Sequence, residues 1–288
     1  MRKRKQDNPR LPLRARMGFG DHPLRVKTWS FTPQNWTEGL KLRLVVVADV
    51  HGSRPIMPPG RIKRVVEQAN ALGGDMILLL GDYRASHLLQ GEKVTIQEMA
   101  PIFAALEAPM GVFAVQGNHE WWDDPRAQLH RSGPTETEQI FEKHGIPILE
   151  NKAIRMTSGN RPFWLAGLGS QWAFGPKHGP GRKEGVDDLP ATLAQINDDA
   201  PVILMAHEPD IFIEKPPVSL VISGHTHGGQ IKLFGWTPHV PSAHGTRYAY
   251  GHIREDGRDL VVSAGVGNSG LPVRVGMPPE ITVIELGE

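Results

Sequence analysis

The chain has no cysteine among its 288 residues. That excludes a disulfide scaffold and thiolate metal ligation, while leaving the redox compartment open. No run approaches the ~20 apolar residues needed to span a bilayer. The basic start of the chain is followed by Pro9, Pro12, Gly18 and Gly20 instead of an apolar segment, so no cleavable signal peptide is expected. A cytoplasmic protein, at most peripheral at a membrane, is the expectation. Internal repeats and long structureless linkers are also missing. The length therefore suits one compact domain over residues 41–288, preceded by an extension over residues 1–40, partly disordered or packed on the surface.

A strong net charge is lacking too, with 32 Lys and Arg against 31 Asp and Glu. The balance hides an asymmetry. Residues 1–16 hold Arg2, Lys3, Arg4, Lys5, Arg10, Arg14 and Arg16, 7 of the 32, and only Asp7 of the 31 acids. The remainder keeps 25 basic and 30 acidic residues, a net of −5. The plain reading of the tail is a solvated arm. The functional one is a patch drawn to anionic lipid or nucleic acid.

What the chain does have is apolar runs that end in potential ligands. Leu42 to Ala48 reads as a strand buried on both faces. A helical spacing follows over residues 61–72 (Ile62, Val65, Val66, Ala69, Leu72), stopped at Gly73-Gly74. Met76 to Leu80 is the next strand, residues 95–106 a helix shortened by Pro101, and Val112 to Val115 a third strand. This β-α-β-α-β order implies parallel strands with right-handed crossovers. A helix from Thr135 to His144 comes next. Strands are then expected at 163–168, 202–206, 218–223, 260–266 and 281–286, with one clear helix at 189–196. Two sheets packed face to face, with helices outside, would bring several strand ends into one cleft.

Five elements at those ends carry the chemistry. Asp49 and His51 stand two apart, and strand alternation would give them one face. Gly81 permits a close turn before Asp82, whose carboxylate has oxygens for two cations. In Gly117-Asn118-His119-Glu120, Asn118 offers an amide oxygen without adding charge. His119 would face the phosphate and protonate the leaving oxygen, and Glu120 would orient it or cap the next segment. His207 follows the strand at 202–206, and His225 and His227 sit in Gly224-His225-Thr226-His227. Taken singly, each is more often a turn or a surface residue. Together, oxygen and imidazole donors suit two divalent cations side by side, the usual apparatus of phosphoester hydrolysis. Manganese, iron and zinc fit that donor set equally.

The pattern D-x-H, G-D, G-N-H-[DE], H and G-H-x-H over residues 49–227 resembles the calcineurin-like metallophosphoesterases. The run Ala206-His207-Glu208-Pro209-Asp210, the Gly-Gly-Gln after His227, and Gly270-Leu271-Pro272-Val273-Arg274 with Pro279-Glu280-Ile281 narrow it to the bacterial YaeI/YkuE-like phosphodiesterase branch. The resemblance implies an α/β fold, a four-layer α/β/β/α sandwich with two mixed sheets. It implies Asp49, His51, Asp82 and His227 around one ion and Asp82, Asn118, His207 and His225 around the other, Asp82 bridging. The activity implied is hydrolysis of phosphodiester, and also phosphomonoester, bonds by a metal-activated hydroxide at a binuclear centre, with Asp82 and His119 catalytic. Protein phosphatases continue G-D with x-x-D-R-G; here Tyr83-Arg84-Ala85-Ser86 departs from that, against a protein substrate.

Arg274 is a candidate phosphate clamp, since a guanidinium pairs bidentately with phosphate oxygens. A surface salt bridge is its plain alternative. Trp121 and Trp122 are candidates for an apolar wall beside the substrate, against simple packing under loops. A small-molecule or lipid-linked phosphoester is the expected partner, with peripheral membrane contact through the basic start. Alternatives are a pyrophosphatase acting on a lipid-linked nucleotide at a membrane surface and a non-catalytic metal-binding scaffold. A nuclease fits less well, because the acidic body offers no basic groove.

Overall fold

Two mixed β-sheets lie face to face in the computed structural model, which describes residues 24–85, 91–176 and 183–287. The basic stretch at 1–16 lies outside the described residues. The first half of the chain runs β1 (Arg25–Phe31), β2 (Leu42–Val47), β3 (Ser53–Arg54), α1 (Pro59–Ala71), β4 (Met76–Leu79), β5 (Glu92–Lys93), α2 (Ile96–Phe103) and β6 (Val112–Ala114). Three short helices follow, α3 (Asn118–Trp122), α4 (Pro125–His130) and α5 (Glu136–Lys143). The second half holds β7 (Lys152–Ser158), β8 (Arg161–Gly167), α6 (Leu189–Leu193), β9 (Val202–Met205), β10 (Leu220–Ser223), β11 (Gly251–Glu255), β12 (Arg258–Val262) and β13 (Glu280–Leu286).

The first sheet has the order β1-β13-β2-β4-β6, and β2, β4 and β6 are parallel, as the β-α-β-α-β pattern requires. The second has the order β11-β12-β10-β9-β8-β7, with β8, β9, β10 and β12 parallel. Strand alternation divides the core. Leu44 and Val46 of β2 point between the sheets, where they meet Phe163, Leu165, Ile203 and Ile222. Val45 and Val47 point the other way and pack beneath α1, α2 and α5 through Ile62, Val66, Met99 and Phe141. The outer face of the second sheet is covered by Ile211, Phe212 and Tyr248. The result is the α/β/β/α sandwich. No described helix is long and apolar enough to cross a membrane.

The helices start where side chains can satisfy free N–H groups. Thr95 Oγ1 accepts from Glu98 N at 3.3 Å while Glu98 Oε2 accepts from Thr95 N at 2.9 Å, a reciprocal cap before α2. Thr135 supplies one half of that arrangement for α5, accepting from Glu138 N at 3.1 Å. Part of the segment expected to precede the domain joins it: β1 pairs in parallel with β13 along its full length, as an edge strand.

Burial between the sheets sets the largest single contributions to stability. Phe163→Ala should cost about 3–5 kcal/mol, because its ring is fully enclosed there. Leu129→Ala, on an exposed side chain, should stay within about 0.5 kcal/mol. Urea denaturation of the two variants checks the contrast.

Candidate metal centre

The seven candidate ligands converge at the carboxyl ends of β2, β4, β6, β9 and β10. All are buried. Asp49 Oδ1 accepts from His225 N at 2.9 Å, which joins the two sheets at this point. Asp82 Oδ2 lies 3.2 Å from His207 Nε2, 3.6 Å from His51 Nε2 and 3.9 Å from His119 Nε2. His227 Nε2 lies 3.1 Å from His51 Nε2 and 3.7 Å from Asp49 Oδ1. Their donor atoms form three groups close enough to hold an ion: Asp49, His51 and His227; Asp82, His207 and His225; and His51, Asp82 and His119.

The reason they converge differs from strand alternation. Asp49, His51, Asp82, His225 and His227 all lie just past their strands, with φ between 46° and 68°. Left-handed backbone costs a non-glycine residue free energy, which the surrounding fold must offset. It turns each side chain back over the strand ends. Gly81, at φ 90°, completes the approach: a Cβ there would sit 2.4 Å from Gly117 N.

Glu120 fixes this packing. Its Oε2 accepts from Asp82 N and Gly117 N, both at 2.8 Å, and its Oε1 accepts from Tyr83 N at 2.9 Å and Arg84 N at 3.1 Å. It ties the Asp82 loop to the start of α3 and does not bond the His119 ring.

The donor chemistry fits divalent cations. His207 Nδ1 donates to Leu80 O at 2.6 Å and His51 Nδ1 to Arg84 O at 3.0 Å, so each ring, when neutral, would turn the Nε2 lone pair toward the cluster. The buried Asn118 Oδ1 has no hydrogen-bond partner. Nor has the buried His225 Nε2. Burial raises Asp49 to about 7, though His207 opposes it. Burial also pushes Asp82 up, but His207, His119 and His51 outweigh it and hold its carboxyl well below the usual range. Burial drives His225 down to about 3, with His207 adding to it, and drives His227 well below its ordinary value. Burial lowers His207, yet Asp82 overcomes this and lifts it well above. Two carboxylates thus draw positive charge into a cluster in which the imidazoles of His51, His225 and His227 resist protonation, a demand that a divalent cation meets.

The cluster forms one end of a cavity of about 530 Å³. His119 lines it, its ring edge-on to His51 at 4.8 Å and tilted over Trp122 at 5.3 Å. The two tryptophans separate. Trp122 lines the cavity opposite Trp172, whereas Trp121 is buried under the loops, edge-on to Phe174 at 5.6 Å and outside the cavity lining. Arg274 does not reach the cavity either. Buried behind His227, it donates from Nε to Gly267 O at 2.7 Å and from Nη2 to Ala264 O at 2.7 Å, with Nη2 also 3.0 Å from His227 Nδ1. It braces a candidate ligand and backbone carbonyls, in place of the phosphate or surface carboxylate expected of it.

Lys183 is a charged lining residue that the sequence did not single out. Its Nζ lies over the rings of Trp122 and Trp172, at 4.8 and 5.3 Å, and donates to Pro176 O. Burial lowers its pKa. In Lys177-His178-Gly179-Pro180-Gly181-Arg182-Lys183 nothing local distinguishes it from the two neighbouring basic residues.

A model of the calcineurin-like phosphoesterase family matches residues 42–229. The chain is 27% identical over 270 residues to an uncharacterized metallophosphoesterase of Aquifex aeolicus, covering 91% of this chain and 92% of that protein. It is 30% identical over 250 residues to phosphodiesterase YaeI of Escherichia coli (85% and 82% covered). To the uncharacterized metallophosphoesterase YkuE of Bacillus subtilis it is 27% identical over 230 residues (78% and 72%). The chain belongs to the calcineurin-like phosphoesterases, and so to the hydrolases of phosphoester bonds, a family that works with divalent metals.

Removing the Glu120 carboxylate strands four backbone N–H groups, three of them buried and that of Arg84 half-buried. Glu120→Ala should therefore lose about 3 kcal/mol or more. Urea denaturation measures this; an unchanged midpoint would mean that the clamp is dispensable.

Proposed function

We propose that the chain is a binuclear phosphodiesterase. Asp49, His51, Asp82 and His227 would hold one divalent ion and Asp82, Asn118, His207 and His225 the other, with Asp82 shared. The observation that carries this is convergence: six donors from four strand ends meet in one buried cluster, and the buried, partnerless Asn118 Oδ1 belongs to a residue lining the same cavity. Bound there, the ions lower the pKa of water and offset charge on the phosphoryl oxygens.

The remaining roles fall to side chains facing the cavity. His119 acts as general acid, giving the Nε2 proton to the leaving oxygen. Of the three histidines within 4 Å of Asp82 Oδ2 it is the farthest, at 3.9 Å, and it opens onto the substrate space, which favours this role over ligation. Lys183 pairs with a phosphoryl oxygen; its partial burial strengthens such a contact. A cavity of about 530 Å³ leaves room for groups on both sides of a phosphate, which favours diesters, as does the name of the relative YaeI.

Metal analysis of purified protein, followed by bis(p-nitrophenyl) phosphate hydrolysis with manganese, iron or zinc, tests the proposal. Two ions per chain and turnover of the diester are expected; no turnover with any metal refutes it. Asp82→Asn should lose metal and most activity together. His119→Ala should keep both ions while kcat falls by about 10²–10⁴; loss of an ion would make His119 a ligand. Lys183→Met should raise KM about tenfold with kcat little altered. An unchanged KM would remove it from the substrate site.

A further inference from the structure

Beside the mouth of the cleft, residues 230–236 form an arm. Its stalk is fixed to the 269–276 loop. Val275 N donates to Gln230 O at 3.0 Å and Lys232 N to Val275 O at 2.7 Å, while the Gln230 amide reaches Ser269 O and Leu271 O at 2.8 and 2.9 Å. Its tip is the two-residue turn Phe234-Gly235, closed by a pair of 2.9 Å hydrogen bonds between Leu233 and Trp236.

The tip is costly to the fold in two ways. Both turn residues have positive φ, 50° and 88°, the conformation in which Asn-Gly is preferred. A phenylalanine there is strained, and it is also fully exposed. Leu233 is 45% exposed, Trp236 65% and Leu271, on the loop that holds the stalk, 47%. Four of the seven exposed large apolar side chains among the described residues therefore gather at this one place. Neither packing nor turn chemistry accounts for that.

The occupant follows from size and composition. An arm with three exposed apolar side chains, and Leu271 on the loop that holds it, falls far short of the ~20–30 residues a side in a stable protein interface. Tryptophan and phenylalanine on such a tip, with Lys232 at its base, suit the headgroup region of a bilayer. The apolar surface also runs inward: Ile231, Val240 and Leu271 line the cavity that ends at the ligand cluster. We propose that the arm docks on the surface of an anionic lipid bilayer. The cleft mouth is then held against the membrane, and the phosphoester it takes is the head of an amphiphile. The docking stands on the arm alone; the substrate class rests on the phosphodiesterase reading above.

The test is cosedimentation of the full chain with phosphatidylcholine vesicles, with and without phosphatidylglycerol, against the double variant Phe234→Asn, Trp236→Ser. Asparagine suits the turn, so an unchanged Tm confirms that the variant is folded. Binding to the mixed vesicles should fall by about tenfold or more. Hydrolysis of bis(p-nitrophenyl) phosphate in solution should stay the same. A wild-type chain that remains in the supernatant, or a variant that partitions like wild type, overturns the docking. Self-association lost in the variant, without vesicle binding, assigns the arm to a second copy and also overturns it. Vesicle binding through the arm by a chain that hydrolyses no phosphoester keeps the docking and refutes the enzymatic reading.

Discussion

The candidate centre depends on one buried carboxylate that faces away from it. Glu120 gathers the backbone N–H groups of Asp82, Tyr83, Arg84 and Gly117. Burial raises its pKa to about 7 and the neighbouring Asp82 adds to the rise, so holding charge there carries a free-energy cost that the four donors offset. The return is position. With the two loops locked, Asp82 is fixed at the boundary of the two sheets, and His119 N donates to its Oδ1 at 3.0 Å. The other Asp82 oxygen then faces three imidazoles.

Strain and charge act together here. Five candidate ligands adopt left-handed backbone, and buried carboxylates stand beside buried imidazoles. Either feature alone would weaken a fold. A cation in the middle relieves the electrostatic part, so binding and stability are linked through the same residues. The sandwich supplies the rest, since its sheets are closed by apolar cores on three levels.

Much of this was legible in the sequence because it obeys simple periods. The central strands read as apolar runs, and the residues closing them read as ligands by type. Five strands escaped notice: β3 and β5 are two residues each and form a small sheet of their own, and β1, β7 and β11 are edges of the two large sheets. The exposed positions of these edges carry Arg25, Lys152, Arg155 and Arg254, which breaks the apolar signal while protecting the edge from unwanted pairing. Backbone φ is invisible to a reading by residue type, so the turns that aim the ligands could not be foreseen. Arg274 was misplaced for a related reason: a guanidinium serves carbonyls as readily as phosphates, and only the fold decides which lies within reach.

The place of β13 has a consequence for how the molecule is made. Among the described residues, β13, the last strand, lies between β1 and β2, the first two. Synthesis proceeds from the N-terminus, so β1 has no neighbour in its sheet until β13 has left the ribosome. The second sheet draws on residues 152–262 and waits for nothing beyond them. Assembly is therefore ordered, with closure of the first sheet, beside the loop that bears Asp49, waiting for residues 280–286.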